Sequence, residues 1–415
     1  MRIAIVGAGV SGLTAAYLLQ RQHEITVFEA EPRLGGHSHT VPFQWAGETQ
    51  HLDTGFIVFN DRNYPAFERL LAQLGVPSQP SDMSFGVSDD RSFAYASHSL
   101  RGVFAARRTA VNPRFVRMLA EVPRFQRAAR RLLASGDEQV SLRAWLQRHD
   151  FSSFFIERLL VPQAAAVWSA DPRQMWSFPA LFLARFFDNH GMLSLSGRPR
   201  WRTIVGGSER YVEALSAGFR DRVRLATPVR SIARGAHGVT LTVEGDAEPL
   251  TFDQVVIAAH ADQALEMLAD ATWREREILG AIPYQENEAI LHTDTSILPA
   301  QRAAWASWNY HLLDRPSGRT TVTYHLNRLQ QLGSEQEFCV TLNLGERIDP
   351  ERVIKRIAYA HPVYTPAGLQ AQRRFEEISG LEGRTHFCGA YWSWGFHEDG
   401  VQSALRVGEC FGAQL

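Results

Sequence analysis

Two short stretches carry residue types that can do chemistry, and they lie at opposite ends of the chain. Near the start, Gly7-Ala8-Gly9-Val10-Ser11-Gly12 is followed by the acid Glu29. Glycines at these positions let a strand turn tightly into a helix, let the backbone approach a pyrophosphate and let the helix lie close on a sheet. An acid closing the next strand is placed to accept hydrogen bonds from ribose hydroxyls. Near the end, Gly395-Phe396-His397-Glu398-Asp399-Gly400 groups an imidazole with two carboxylates, types suited to proton transfer. Tyr310 adds a phenol, and Lys355 is the only lysine of the chain. His37 and His39 form an H-x-H pair without further ligands nearby, so no metal site is expected.

These groups need elements to hold them. Residues 1–6 read as an apolar strand, 13–20 as helix formers and 24–28 as a second strand ending at Glu29. The first helix then offers unpaired N–H groups and a positive dipole end to phosphates. Residues 253–260 (DQVVIAAH) read as a buried parallel strand. Residues 385–389 form a strand ending in glycine, followed by an aromatic loop and a closing helix. Between the two ends, helical spacing covers 64–74, 141–150, 154–160 and 211–219. Strand-like alternation covers 83–97, 223–225, 228–232, 239–243, 289–292, 305–311 and 320–326. Lys355 falls in a stretch, 350–360, that reads as a helix. Gly206-Gly207-Ser208-Glu209-Arg210 lacks the last glycine of a hydrolase nucleophile elbow, which removes that chemistry.

The 415 residues suit two domains rather than one core. A net charge of −1 indicates no partnership with nucleic acid. Three widely spaced cysteines make neither a disulfide framework nor a zinc pattern, which points to a reducing cytoplasm. No apolar run is long enough to span a bilayer. Residues 100–135 hold nine arginines against the single acid Glu121, interleaved with apolar residues. Pro113 and Pro123 are expected to divide this stretch into short helices. It reads either as a solvated cap or as a basic amphipathic surface for anionic lipid headgroups, which would place the protein at the inner face of the cytoplasmic membrane. The aromatics of residues 161–190 suit a domain walling an apolar cavity.

The motifs together resemble the flavoprotein superfamily of amine oxidases, protoporphyrinogen oxidase and phytoene-type desaturases. Arg33-Leu34-Gly35-Gly36 is similar to its Arg-x-Gly-Gly segment, Asp53-Thr54-Gly55 to its acid-x-Gly segment, and Gly395-Phe396-x-Glu398 to its final helix start. The resemblance implies FAD as cofactor, held by Gly7, Gly9, Val10, Ser11, Gly12, Glu29, Ala30, Gly35, Gly36, His37, Thr54, Gly55, Phe56, Ile57, Val229, Gly389, Phe396, His397 and Glu398. Two departures stand out: Ala390-Tyr391 follows the strand glycine where the family has an acid, and Asp399-Gly400 replaces a Gly-Ala pair. The implied fold is α/β plus α+β. A Rossmann-like (GR2-type) FAD-binding domain, discontinuous over residues 1–60, 200–262 and 376–415, carries a mixed antiparallel-sheet and helical substrate domain over 61–199 and 263–375.

A flavin accepts hydride at N5, so the protein must bind, orient and exclude water. No second GxGxxG is present for a nicotinamide, so oxygen or a quinone is the expected acceptor. Ser81 to Phe85, Trp305 to Tyr310 and Gly395 to Gly400 resemble a bacterial subgroup of lipid-modifying flavoenzymes. Its member type is the methyl-vaccenoyl-phospholipid desaturase of furan fatty acid biosynthesis. That resemblance implies dehydrogenation of a methyl-branched unsaturated acyl chain of a phospholipid, with His397, Glu398, Asp399 and Tyr310 as candidates for the base. The alternatives are a flavin amine oxidase releasing hydrogen peroxide and a non-catalytic flavin-binding protein. A lysine placed as late as Lys355 weighs against the amine oxidase. A homodimer is an open expectation.

Overall fold

The computed structural model describes all residues except 90–92, 169–173, 195–196 and 316–317. Its centre is a five-stranded, all-parallel sheet in the order Val223–Arg224, Glu24–Phe28, Arg2–Val6, Gln254–Ile257, Thr385–Phe387. Strands far apart in sequence thus become neighbours. Ile3, Ile5, Val27, Val255 and Val256 are buried, as strands covered on both faces require. The helix Val10–Leu19 lies on one face and meets the closing helix His397–Cys410 there. A three-stranded antiparallel sheet, Val229–Gly235, Gly238–Val243 and Leu250–Phe252, packs on the other face.

The substrate half is a seven-stranded mixed sheet in the order Val353–Pro362, Tyr284–His292, Cys339–Leu342, Val322–His325, Trp308–Leu312, Phe85–Asp89, Ala94–Ala96. A layer of helices between Pro113–Ser135 and Ala180–Asn189 covers it through an aromatic core. This is the Rossmann-like flavin domain with a mixed-sheet and helical substrate domain that the motifs imply. The strands expected across 83–97 are Phe85–Asp89 and Ala94–Ala96; residues 90–92 between them lie outside the described residues.

Two local expectations are corrected. Lys355 stands on the strand Val353–Pro362, paired antiparallel with Tyr284–His292, and not on a helix. Tyr359 on that strand is buried, and pairing along the whole strand outweighs the weak local helical spacing. Pro123 does not break residues 100–135 as expected: it sits inside one helix, Pro113–Ser135, whose N-cap is Asn112. The helix persists because Phe115, Met118, Phe125, Ala129 and Leu132 all sink into the aromatic core.

Glu121, the lone acid among those arginines, is 4% exposed and fastens that helix to Ser152, the N-cap of the helical turn Ser153–Phe155. Its carboxylate accepts from the Ser152 hydroxyl at 2.5 Å and the Ser152 backbone N–H at 3.1 Å, with Arg117 and Arg124 at 3.4 and 3.3 Å. Glu121→Ala leaves the Ser152 N–H without its partner, so chemical denaturation is expected to show a loss of about 2–3 kcal/mol. Glu121→Gln, which keeps one acceptor oxygen, is expected to lose less.

Candidate active site

The glycine turn is built by backbone contact. A Cβ on Gly12 would lie 1.9 Å from the Gly7 carbonyl oxygen, and one on Gly7 would lie 2.6 Å from the Ala258 oxygen. A Cβ on Gly9, by contrast, would meet nothing within 4 Å. Gly9 therefore faces open space while its neighbours are wedged against the sheet. The helix Val10–Leu19 begins there without a side-chain cap or an acid in its first turn. Its first intrahelical bond runs from Leu13 N–H to Gly9, so the N–H groups of Val10, Ser11 and Gly12 remain for a ligand.

Other segments close around this turn. The Gly35 N–H donates to the Ala8 carbonyl at 2.8 Å. The Arg33 guanidinium grips its own loop, donating to the carbonyls of Gly36 at 2.7 Å, Leu34 at 3.3 Å and Ser38 at 3.4 Å. Glu29 is folded onto the turn, accepting from Ala8 N–H at 2.7 Å and Glu31 N–H at 2.9 Å. Burial pushes its pKa up while those N–H groups pull it back. Ala30 beside it is exposed, and Val229 opens the outer sheet opposite Val243. Gly9, Gly36, His37, Ala259, His260 and His361 are half-buried in otherwise buried surroundings and lie together beside the turn, where the parallel strands end in a cleft of the kind that binds ligands. An anion-ready helix end with open space at Gly9 fits the diphosphate of FAD.

At the far end of the cleft the closing helix presses on the first one. A Cβ on Gly400 would lie 2.7 Å from Val10 Cγ1 and 2.9 Å from Ser11 Oγ, which explains a glycine there in place of the family's alanine. Gly389 anchors the loop before it, donating its N–H to Ser403 Oγ at 2.8 Å. The N–H groups of Gly395 and Phe396 are spent within this segment, on the Ala390 carbonyl at 3.2 Å and on Asp399 Oδ2 at 2.9 Å.

The four candidate bases receive other partners. Glu398 accepts from the backbone N–H groups of Ala66 at 3.1 Å and Phe67 at 2.9 Å, and so caps the helix Pro65–Leu74. Asp399 accepts from the Phe396 N–H at 2.9 Å and caps its own helix; burial pushes its pKa up to about 6. The His397 ring stacks on Phe56 with centroids 3.6 Å apart. Its Nε2 lies 2.9 Å from Ser38 Oγ and 3.1 Å from Tyr211 Oη, and burial lowers its pKa to about 3. Tyr310 is buried in the aromatic core beside Val87 and Val322.

The segment at 53–57, expected to line the cofactor, is built into the fold by its own hydrogen bonds. Asp53 is fully buried and accepts from Thr40 Oγ1 at 2.6 Å, Ser208 N–H at 2.9 Å, Ser208 Oγ at 2.7 Å and Gln330 Nε2 at 3.0 Å. Burial pushes its pKa up to about 6. Thr54 Oγ1 donates to the His39 carbonyl at 2.9 Å and lies 2.8 Å from the Tyr359 hydroxyl. Gly55 packs under the His37 carbonyl, and Ile57 joins the core of the mixed sheet.

The structure adds Trp394, His190 and Tyr364, which sequence reasoning passed over, to Phe396 and Lys355, which it named. Trp394 stacks on Phe182 at 4.4 Å and Phe396 on Phe186 at 5.9 Å, so the helical layer reaches the closing loop. His190 stacks on Phe186 at 4.0 Å, with Phe396 6.0 Å away. Tyr364 is buried with its hydroxyl against Gly395. Lys355 Nζ donates to His39 Nε2 at 3.3 Å. His260, directly after a parallel strand, carried a readable signal, because ligands bind at the carboxyl ends of such strands.

The cradle makes a paired prediction. Gly9 has φ −75° and open space, so Gly9→Ala is expected to leave the apoprotein's melting temperature unchanged. It should still weaken FAD binding about tenfold or more, the loss of one charge-assisted contact of about 1.4 kcal/mol. Gly12→Ala has no room and is expected to lower the melting temperature itself.

Comparison with known proteins agrees with this geometry. The family model for flavin containing amine oxidoreductases matches residues 10–410. AofH of Mycobacterium tuberculosis, assigned to the flavin-containing monoamine oxidases, is 28% identical over 267 residues, 59% of this chain and 54% of that protein. The chain thus spans about half the length of the curated relative it matches. Cyclohexylamine oxidase from Brevibacterium oxydans superposes with a TM-score of 0.69 at 16% identity, covering 99% of both chains. The CLA-producing fatty acid isomerase from P. acnes superposes with a TM-score of 0.67 at 17% identity, covering 99% of this chain and 98% of that one. The chain belongs to the flavin-containing amine oxidoreductase family, with FAD as its cofactor.

Proposed function

We propose that this oxidoreductase dehydrogenates an apolar acyl chain. The substrate proposed is the methyl-branched unsaturated chain of a phospholipid, converted to a conjugated diene in furan fatty acid biosynthesis. The observation that carries this reading is the aromatic wall that runs from Trp168, Phe182 and Phe186 to Trp394 and Phe396. A second observation supports it. Glu398 and Asp399, the acids nearest that wall in the closing helix, are both spent on backbone N–H groups and hold no carboxylate out for an ammonium group.

FAD, when bound, supplies the acceptor for the hydride that leaves the acyl chain. The protein's part is to bind it through the glycine cradle, to line the reacting end with aromatic carbon and to take the proton. For the last role His190 is the best-placed group. Its Nδ1 lies 2.9 Å from the Phe186 carbonyl, which can only accept, so Nδ1 carries the hydrogen and Nε2 keeps a lone pair. Burial lowers its pKa to about 4, so that lone pair is available at neutral pH.

Anaerobic mixing of the yellow holoenzyme with methylated phospholipid is expected to bleach the flavin absorbance, and no bleaching by any lipid would sink this reading. His190→Gln is expected to slow the bleaching about a hundredfold or more, within the usual reach of general-base catalysis. The active form of His190 is neutral, so the wild-type rate should hold from pH 8 to pH 5 and fall as pH drops through about 4. Amine oxidation is the second reading, favoured by Lys355 beside His39 on the flavin-binding loop. A panel of amines in the same experiment decides between the two.

A lipid substrate also calls for a membrane face, and the expectation for residues 100–135 narrows. Arg130 donates to the Leu193 carbonyl and Arg124 to the Asp150 carbonyl, so the later arginines serve the fold. The face proposed is residues 100–116. There Leu100, Phe104, Val111 and Val116 are 79%, 44%, 80% and 53% exposed, and the exposed Arg101, Arg107, Arg108 and Arg114 are interleaved with them in sequence. Among the described residues no helix is long and apolar enough to cross a membrane. Replacing Leu100, Val111, Arg107 and Arg108 by Ser is expected to weaken binding to anionic vesicles by about tenfold or more. Unchanged binding in a vesicle sedimentation assay removes the membrane face.

A further inference from the structure

Three histidines from three separate elements meet beside the glycine turn. His37 follows Gly36, His260 follows the strand Gln254–Ile257, and His361 stands on Val353–Pro362. The His37 ring lies 5.2 Å from that of His361 and 6.3 Å from that of His260. Tyr359 stacks on His37 at 4.8 Å and Tyr284 on His260 at 4.3 Å. His37 and His260 flank the turn itself. A Cβ on Gly36 would lie 3.2 Å from Gly9 Cα, and one on Gly7 would lie 3.3 Å from the Ala259 nitrogen.

A diphosphate brought to Gly9 carries negative charge on both phosphates. The helix end offsets about half a unit of it. Arg33 adds its charge, with three of its five N–H groups committed to carbonyls of its own loop. The groups that can supply more positive charge by taking up a proton are the histidines.

They are not equivalent. The Glu288 N–H donates to Asn343 Oδ1 at 3.0 Å, which fixes the orientation of that amide. Asn343 Nδ2 then donates to Asn287 Oδ1 at 2.7 Å, and this leaves Asn287 Nδ2 facing His361 Nδ1 at 3.0 Å. An amide nitrogen only donates, so His361 Nδ1 must accept, and the ring is held neutral with its hydrogen on Nε2. No such lock holds His37, whose Nε2 is buried without a hydrogen-bond partner. His260 carries no such lock either, and it is half-exposed.

We propose that His37 and His260 are the counter-charges of the FAD diphosphate, and that cofactor binding is accompanied by proton uptake from solvent onto these two rings. The groups facing them agree with the direction. His37 is faced by His260, His361, His397 and Arg33, and burial together with these groups keeps it neutral before the cofactor arrives. His260 is lowered by burial, and Asp262 on its own helix opposes that. Tyr359 and Tyr284 remain neutral phenols, because burial raises both. A bound diphosphate raises the histidine pKa values, so its contribution to affinity is complete at low pH and is lost as pH rises through the raised value.

The test is titration calorimetry of apoprotein with FAD at pH 7 in two buffers of different ionisation enthalpy, with Kd followed from pH 6 to pH 8. The expected result is a net uptake of about one proton and a Kd that weakens by about tenfold across part of that range. Riboflavin, which has no phosphate, should bind without uptake. His37→Gln and His260→Gln should each lower the count, and the double variant should abolish it, whereas His361→Gln should keep it. FAD binding without proton uptake, equal uptake with riboflavin, or uptake that survives the double variant overturns the assignment. The wild-type and riboflavin arms decide even where a variant fails to fold.

Discussion

Close backbone approach at one point, the turn from Gly7 to Gly12, is the constraint on which the rest of the molecule depends. Two helices and three loops must all come within contact of it. Gly12 brings the first helix down onto the sheet, and Gly400 lets the closing helix lie against Val10 and Ser11. A methyl group at either place would occupy space already held by backbone or by the opposing helix. The parallel sheet follows from the same demand, because it carries the N-terminal strand, the Gln254–Ile257 strand and the C-terminal strand side by side. Their carboxyl ends then open on one cleft.

The buried acids are fasteners of this arrangement. Asp53 ties the Thr40–Trp45 and Glu48–Asp53 hairpin to the turn before Glu209 and to Gln330. Glu398 ties the closing helix to the start of Pro65–Leu74. Neither has a basic partner among these contacts; both are satisfied by N–H and O–H donors. Removing such an acceptor would strand several donors at once, which costs more than the hydrogen bonds themselves are worth. That accounting also bears on chemistry. A carboxylate already accepting two backbone N–H groups is a poor choice for a base, and the search for one moves to an imidazole with a free lone pair.

Local chemistry was legible in the chain and long-range pairing was not. The glycine turn, Glu29, the strand at Gln254–Ile257 and the closing helix are each set by a few adjacent residues, and each lies where its sequence indicates. Lys355 was misplaced because the alternation of residues 353–362 is weak, and only the nine-residue partner Tyr284–His292 makes that stretch a strand. Pro123 was misread for a related reason: the helix through it is held by burial of Phe115 to Leu132, which local rules do not count. The cluster of His37, His260 and His361 draws on residues more than three hundred positions apart in sequence. No spacing rule joins them; only the sheet order does.

The same geometry couples the cofactor end of the molecule to the substrate end. The loop before the closing helix carries Trp394 and Phe396, which stack on Phe182 and Phe186 of the helical layer. The next residue, His397, stacks on Phe56 in the loop after Asp53. A change in the shape of the helical layer therefore pushes on one side of a short, rigid segment whose other side borders the cleft. Gly395, with φ +86° and the Tyr364 hydroxyl in the place of a Cβ, leaves that segment no slack to absorb the push. On the proposed reading of an apolar acyl substrate, packing against this wall, without a polar group that reads the substrate, would set which chain fits.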